Sequence, residues 1–163
     1  TAEPHADAFR QLVASYDAAL WRIAWIYAGS SGEQEDLHQE ILLQLWRSLP
    51  SFRGEASAGT WLYRVALNTA LSWRRGASRR SRVEVGDVAE EYHPVSAGGP
   101  RAEAAILREF LSGLNEVDRS VMLLYLDGLS HDQIGDVTGA TRGAIAVRLH
   151  RLRTAFVERY LED

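Results

Sequence analysis

Apolar side chains recur at three- and four-residue steps along most of this chain, the interval that lines one face of an α-helix. Phe9, Leu12, Val13, Tyr16, Leu20, Ile23 and Tyr27 form the first row, predicting an amphipathic helix over residues 6–28 that Gly29 ends. Leu37, Ile41, Leu45 and Leu49 form the second, over about residues 33–48. Ser31 and Gln34 suit a capping box at its start, and Pro50 breaks it. Residues 51–59 read as a loop of small residues, with Thr60 placed to cap a third helix running to about Arg75.

The periodicity is lost over residues 83–102, VEVGDVAEEYHPVSAGGPRA, where glycine, proline and acids collect as in a linker. It returns after Asn115, a capping residue for a helix carrying Val117, Val121, Leu124 and Tyr125 that Gly128 stops. In SHDQIGDVTGATRGAIAVRLHRLRTAF, Ser130 and Gln133 make a capping box and Ile134 and Val137 face inward. Gly139 supplies a turn, and Ile145, Leu149, Leu152 and Phe156 anchor a longer helix. A short helix, a glycine turn and an arginine-bearing helix are the ingredients of a helix-turn-helix, although other helical hairpins share them.

Composition narrows the class. The 163 residues are 46% hydrophobic and 25% charged, as in a globular protein, and cysteine is absent, which excludes disulfides, thiolate metal sites and cysteine nucleophiles. No apolar run approaches the roughly 18 residues of a membrane span, and no basic segment followed by an apolar one opens the chain, so a soluble, cytosolic protein is expected. The five histidines are scattered, matching neither metal-ligand spacing nor a catalytic triad, and phosphate-cradling glycine motifs are missing. The expectation is therefore no enzyme, no metal and no cofactor.

Charge is unevenly distributed behind a net value of −4. Residues 1–50 carry seven acids against three arginines, whereas residues 51–82 carry one acid, Glu55, against seven arginines. The final block, 141–163, has five arginines against three acids, with Arg142, Arg148, Arg151 and Arg153 uninterrupted by an acid. Every basic side chain is arginine, whose planar fork suits phosphate and base edges. Two basic patches in an acidic background fit nucleic-acid contact, or else two solvated helix faces. The acidic first helices or linker are expected to pack on those patches in the free protein.

The run EDLHQEILLQLWRSLPSFRGEASAGTWLYRVALNTALSWRR resembles the second conserved region of extracytoplasmic-function sigma factors, and LDGLSHDQIGDVTGATRGAIAVRLHRLR resembles their fourth. The resemblance implies an all-α fold of two small helical domains joined by a flexible linker. Residues 1–82 would be sigma region 2, a helical bundle that binds core RNA polymerase and melts the minus-10 element. Residues 83–102 would be the linker, and residues 103–163 sigma region 4, a helix-turn-helix for the minus-35 element. Implied partners are core RNA polymerase, through its largest-subunit coiled coil and its flap, promoter DNA, and an anti-sigma factor. A cytoplasmic location follows, with the anti-sigma factor as the means of holding the protein at a membrane.

Residue by residue, the resemblance assigns Asp36, Gln39, Glu40, Leu42 and Trp46 to the polymerase coiled coil. Acids in a first helical turn are also favoured by the helix dipole, which accounts in part for Glu33 and Glu35. From Thr60, helical spacing sets Trp61, Val65, Thr69 and Trp73 on one row and Arg64, Asn68, Ser72 and Arg75 on another. Aromatic faces beside arginine forks suit single-stranded DNA, at about 1–3 kcal/mol per stacked base, while core packing explains Trp61 and Trp73 equally well. Phe52 and Arg53 stand in the loop where the family holds a flipped base, and Asn68 coincides with the family's asparagine for minus-10 contact. In the last helix Arg142, Arg148, His150 and Arg151 are the expected minus-35 contacts, Arg148 and Arg151 foremost. Where relatives place a threonine, a basic residue and a serine, this chain has Ala144, Ala146 and Val147, which implies weakened or altered minus-35 reading. The second motif alone also fits the alternative of a stand-alone helix-turn-helix regulator, but such a protein normally brings a sensing or receiver domain where this chain has the arginine- and tryptophan-bearing segment after Thr60.

Overall fold

A computed structural model describes residues 3–83 and 100–162, with side chains for 4–77 and 102–162. Most of the stretch expected as a linker, 84–99, lies outside the described residues, as do the side chains of Arg79, Arg80 and Arg82. The chain divides into two compact units, within 1–90 and within 91–163. All regular structure among the described residues is helical.

The first unit contains α1 (Glu3–Tyr27), α2 (Ser31–Ser48) and α3 (Ala58–Val83), each packed on the other two, with a single 3-10 turn at Leu49–Ser51 before α3. Its core is Leu20, Ile23 and Tyr27 of α1, Leu37, Ile41 and Leu45 of α2, and Leu62, Ala66 and Ala70 of α3. Removing a Leu or Ile side chain fully from water contributes about 1.5–3 kcal/mol. The predicted row of α1 is buried only in its second half; Phe9, Leu12, Val13 and Tyr16 are half-buried. Across α1 and α2, His38 is buried, stacks on Trp21 with ring centroids 3.8 Å apart, and lies 3.3 Å from Asp17 Oδ1.

Two helix caps differ from expectation. Ser30, not Ser31, caps α2: its backbone is extended and its Oγ accepts the Glu33 N–H at 3.3 Å, while the Glu33 carboxylate accepts the Gly29 N–H at 3.0 Å. The cap is thus shifted by one residue, and the Glu33 carboxylate reaches the residue before it. Ser57, not Thr60, opens α3, its Oγ accepting the Thr60 N–H at 3.1 Å and donating to Thr60 Oγ1 at 2.9 Å. Gly59 therefore sits inside the first turn. The Tyr16 hydroxyl occupies the space a Cβ there would need, so a larger residue would displace the Tyr16 side chain. At its other end α3 runs past Arg75 to Val83.

The second unit contains α4 (Pro100–Ser112), α5 (Glu116–Leu126), α6 (His131–Thr138) and α7 (Arg142–Tyr160). Asn115 caps α5, and the capping box of Ser130 and Gln133 starts α6, both as expected. Gly139 ends α6 with φ of 81°, and Thr141 caps α7. Val121, Leu124, Ile134, Ile145, Leu149 and Leu152 form the core beneath the helix-turn-helix. α4, unforeseen in the sequence, adds Phe110 and Leu111, with Phe110 edge-on to Phe156 of α7 at 5.2 Å.

A buried cation closes the α4–α5 corner. Arg119 donates from Nε to the Leu111 carbonyl at 2.9 Å and from Nη2 to the carbonyls of Ser112 and Leu114 at 3.0 and 2.7 Å. These are the acceptors a helix end leaves unsatisfied, and a positive charge there also meets the negative pole of the helix dipole. The turn between α6 and α7 is equally tight: a Cβ on Gly135 would lie 2.6 Å from the Ala140 carbonyl oxygen. Gly135→Ala is expected to cost about 1–3 kcal/mol through this backbone clash, read as a lowered unfolding midpoint of the second unit by circular dichroism.

Candidate functional site

On α2, Asp36 and Gln39 are exposed, Glu40 and Leu42 half-buried, and Trp46 is 44% exposed with its ring edge-on to Phe9 at 5.1 Å. Leu43, which the sequence reading passed over, is 40% exposed. Steps of four and three residues put Gln39, Leu43 and Trp46 on one face. Two extra leucines beside the core pair Ile41 and Leu45 were the signal that one of them had to point outward. The face combines an apolar strip with acids at its N-terminal end, a pattern suited to another helix bearing a basic rim.

α3 sorts its residues into three faces. Leu62, Tyr63, Ala66, Leu67 and Ala70 are buried, Trp61, Val65, Thr69 and Trp73 are half-buried, and Arg64, Asn68, Ser72 and Arg75 are exposed. The row of tryptophans is therefore a shoulder between core and solvent, and the packing face lies one position further round. Phe52, half-buried after the 3-10 turn, tilts over Trp61 with centroids 5.1 Å apart, and Arg53 is exposed beside it. A groove of about 530 Å³ runs between α2 and α3, lined by Glu40, Gln44 and Ser48 on one side and Val65, Asn68, Thr69, Ser72 and Trp73 on the other. Gln44 Nε2 donates to Glu40 Oε1 at 2.9 Å within it. The structure so joins Glu40, expected for polymerase, with Asn68 and Ser72, expected for DNA.

α7 carries the second basic patch. Arg142, His150 and Arg151 are exposed, Ala144 is exposed, Ala146 half-buried, and Val147 70% exposed. Its exposed surface therefore presents a valine between arginines. Arg148 behaves differently: its side chain is 33% exposed and Nη1 donates to Asp118 Oδ1 of α5 in an ion pair. Arg151 Nη2 lies 3.6 Å from the same oxygen. Asp118 is itself only 10% exposed at its side chain, and Asn115 holds it from two directions, accepting its N–H at 2.8 Å and donating to Oδ2 at 3.0 Å. Arg142 approaches Asp132 of α6 at 3.4 Å, both side chains mostly in solvent, and Arg153 lies over the Tyr125 ring at 5.8 Å. Asp118 escaped the sequence reading because its local partner Asn115 reads only as a helix cap and its arginine partner Arg148 is thirty residues away.

Residues 12–80 match the family model described as Sigma-70 region 2, and residues 104–156 the one described as Sigma-70, region 4. The chain is 30% identical over 161 residues to the ECF RNA polymerase sigma-E factor of Escherichia coli strain K12, covering 91% of this chain and 84% of that protein. It is also 30% identical over 152 residues to the ECF RNA polymerase sigma factor SigE of Mycolicibacterium smegmatis, where 88% of this chain but only 58% of the relative is spanned. In fold it is similar to the sigma factor RpoE solved in complex with the anti-sigma factor NepR from Bartonella quintana, with TM-score 0.74, 24% identity, and 93% and 95% of the two chains covered. A second similar structure is CnrH in complex with the cytosolic domain of CnrY, with TM-score 0.69, 23% identity, and 94% and 87% covered. No helix among the described residues is long and apolar enough to cross a membrane.

The Asp118–Arg148 pair is open to direct measurement. A double-mutant cycle on Asp118→Asn and Arg148→Gln, followed by thermal unfolding, is expected to return a coupling free energy of about 0.5–3 kcal/mol, as for charged side chains in contact.

Proposed function

The chain belongs to the extracytoplasmic-function sigma factors of the sigma-70 family, and from that membership we propose that it is a dissociable subunit that gives core RNA polymerase its promoter specificity. We assign residues 1–82 to polymerase binding and minus-10 melting, 83–102 to a linker, and 103–163 to minus-35 reading. The observation that carries the proposal is the three-faced α3: one face is consumed by the core, leaving Arg64, Asn68, Ser72 and Arg75 on the opposite side, next to a half-buried aromatic shoulder. Separated strands need aromatic surface for their bases and cations for their backbone, and a helix with both on adjoining faces supplies them together. Phe52 and Arg53 extend the same surface toward a base turned out of the stack.

In this reading Trp46, with Leu43, is the anchor on the polymerase coiled coil, and Asp36, Gln39, Glu40 and Leu42 surround it. A half-exposed tryptophan beside polar residues is the kind of side chain that concentrates binding energy at an interface. On α7, Arg142, His150 and Arg151 meet duplex DNA, Arg148 contributes through its place beside Asp118, and Val147 touches a thymine methyl where a polar contact is missing. The polymerase flap is the partner of the second unit. An anti-sigma factor, of the kind that holds the solved relative from Bartonella quintana, restrains the protein in the cytoplasm or at a membrane to which that factor is attached. The protein performs no chemistry of its own, since the polymerase makes the RNA.

Transcription reconstituted with core polymerase and a promoter library tests this. The chain is expected to direct initiation to a set of promoters that core enzyme ignores; unchanged start sites would refute it. Trp46→Ala is expected to weaken binding to core polymerase about 30-fold or more, in line with roughly 2 kcal/mol for an interface anchor, as read by fluorescence anisotropy. Asn68→Ala should bind core normally yet fail to open the minus-10 region, as reported by permanganate reactivity of unpaired thymines. Within the same library, randomised upstream elements are expected to show weak or unusual minus-35 preference, and a strong preference for the usual family upstream motif would contradict the reading of Ala144, Ala146 and Val147.

A further inference from the structure

Three of the four closely spaced arginines on α7 lie against carboxylates of their own unit: Arg142 near Asp132, and Arg148 and Arg151 near Asp118. The two carboxylates are unlike. Asp132 is 67% exposed and its pair with Arg142 is open to water, so salt and solvent screen it and it constrains little. Asp118 is 10% exposed, and its position is set by Asn115 at both the main chain and Oδ2 before any arginine arrives. A carboxylate held out of water needs a cation, and Arg148 is the one it takes. One turn further along α7, Arg151 falls on the same face and is drawn toward the same oxygen.

We propose that Asp118 is a positioning residue for DNA reading: it occupies Arg148 and restrains Arg151, limiting how many cations α7 offers to phosphates and fixing the direction from which they are offered. This rests on the reading that α7 meets duplex DNA. A phosphate approaching the patch competes with a fixed carboxylate already there, so backbone contact of any sequence is weakened. Duplexes whose base edges engage α7 in its restrained geometry lose least. The device trades sequence-independent affinity for discrimination, which matters most in a helix where Ala144, Ala146 and Val147 provide few polar base contacts.

The test measures the full chain against a labelled random-sequence duplex across a salt series by fluorescence anisotropy. Asp118→Asn retains the shape and a partner for Asn115 while removing the charge. It is expected to tighten binding about 3- to 10-fold at 0.1 M salt and to steepen the slope of log affinity against log salt by about one to two, as one or two more phosphates are neutralised. Selection from a randomised duplex pool should return a flatter preference than the unaltered chain gives. A merely structural role would lower stability without steepening the slope. Circular dichroism checks that the variant is folded, and Asp118→Ser, also uncharged and suited to a first helical turn, carries the same expectation if Asp118→Asn is not. The proposal is overturned if affinity, slope and preference stay unchanged in a folded uncharged variant while Arg151→Ala weakens binding. If Arg142→Ala and Arg151→Ala both leave duplex binding untouched, α7 is not the reading helix and the proposal falls with that assignment.

Discussion

The close packing of α3 against α1 and α2 is the constraint on which the first unit depends. Leu62, Ala66 and Ala70 stand at successive turns with no exposure, and two of the three are alanines, so the helix backbones approach closely. Close approach has two results. It brings the Tyr16 hydroxyl over Gly59, where a larger residue would push the Tyr16 side chain aside, and it fixes the rotation of α3 about its axis. Once that rotation is fixed, the tryptophans can only be a shoulder and Asn68 and its neighbours can only face away. The groove beside α2 is a product of the same geometry, because Glu40 and Gln44 are brought opposite Asn68 and Ser72.

The second unit is organised by charges rather than by close backbones. Arg119 and Asp118 are adjacent in sequence and both buried, yet they serve opposite ends of the structure. Arg119 reaches back to the carbonyls that end α4, and Asp118 reaches forward to the arginines of α7. Each ties α5 to a different neighbour, so the first turn of α5 joins the aromatic end of the unit to its helix-turn-helix.

Features set by neighbours in sequence were legible before any coordinates. Asn115, Ser130 with Gln133, and Gly139 all do what their local patterns imply, because a cap or a turn involves residues at most a few positions apart. Errors began where local signals competed. Ser30 and Ser31 are equally good capping residues by type, and only the extended backbone at Ser30 decides between them. Gly59 reads as loop until Tyr16 is seen above it. α4 lacked an obvious start because Pro100 follows two glycines and resembles the end of a linker, although proline is well suited to a first helical turn. The pairing of Arg148 was illegible for a different reason: it depends on the fold bringing α5 beside α7. For the same reason no local pattern shows that α7 meets carboxylates of α4, α5 and α6 within its own unit.

The carbonyl of Ala140 lies where a side chain on Gly135 would stand, so α6 and α7 meet too closely there for any larger residue. On the proposed reading of α7, a descendant of this protein acquiring a new set of target genes would have to keep position 135 as glycine. Its evolutionary route would run through exchanges at outward positions such as Ala144 and Val147, which leave the contact at Gly135 untouched.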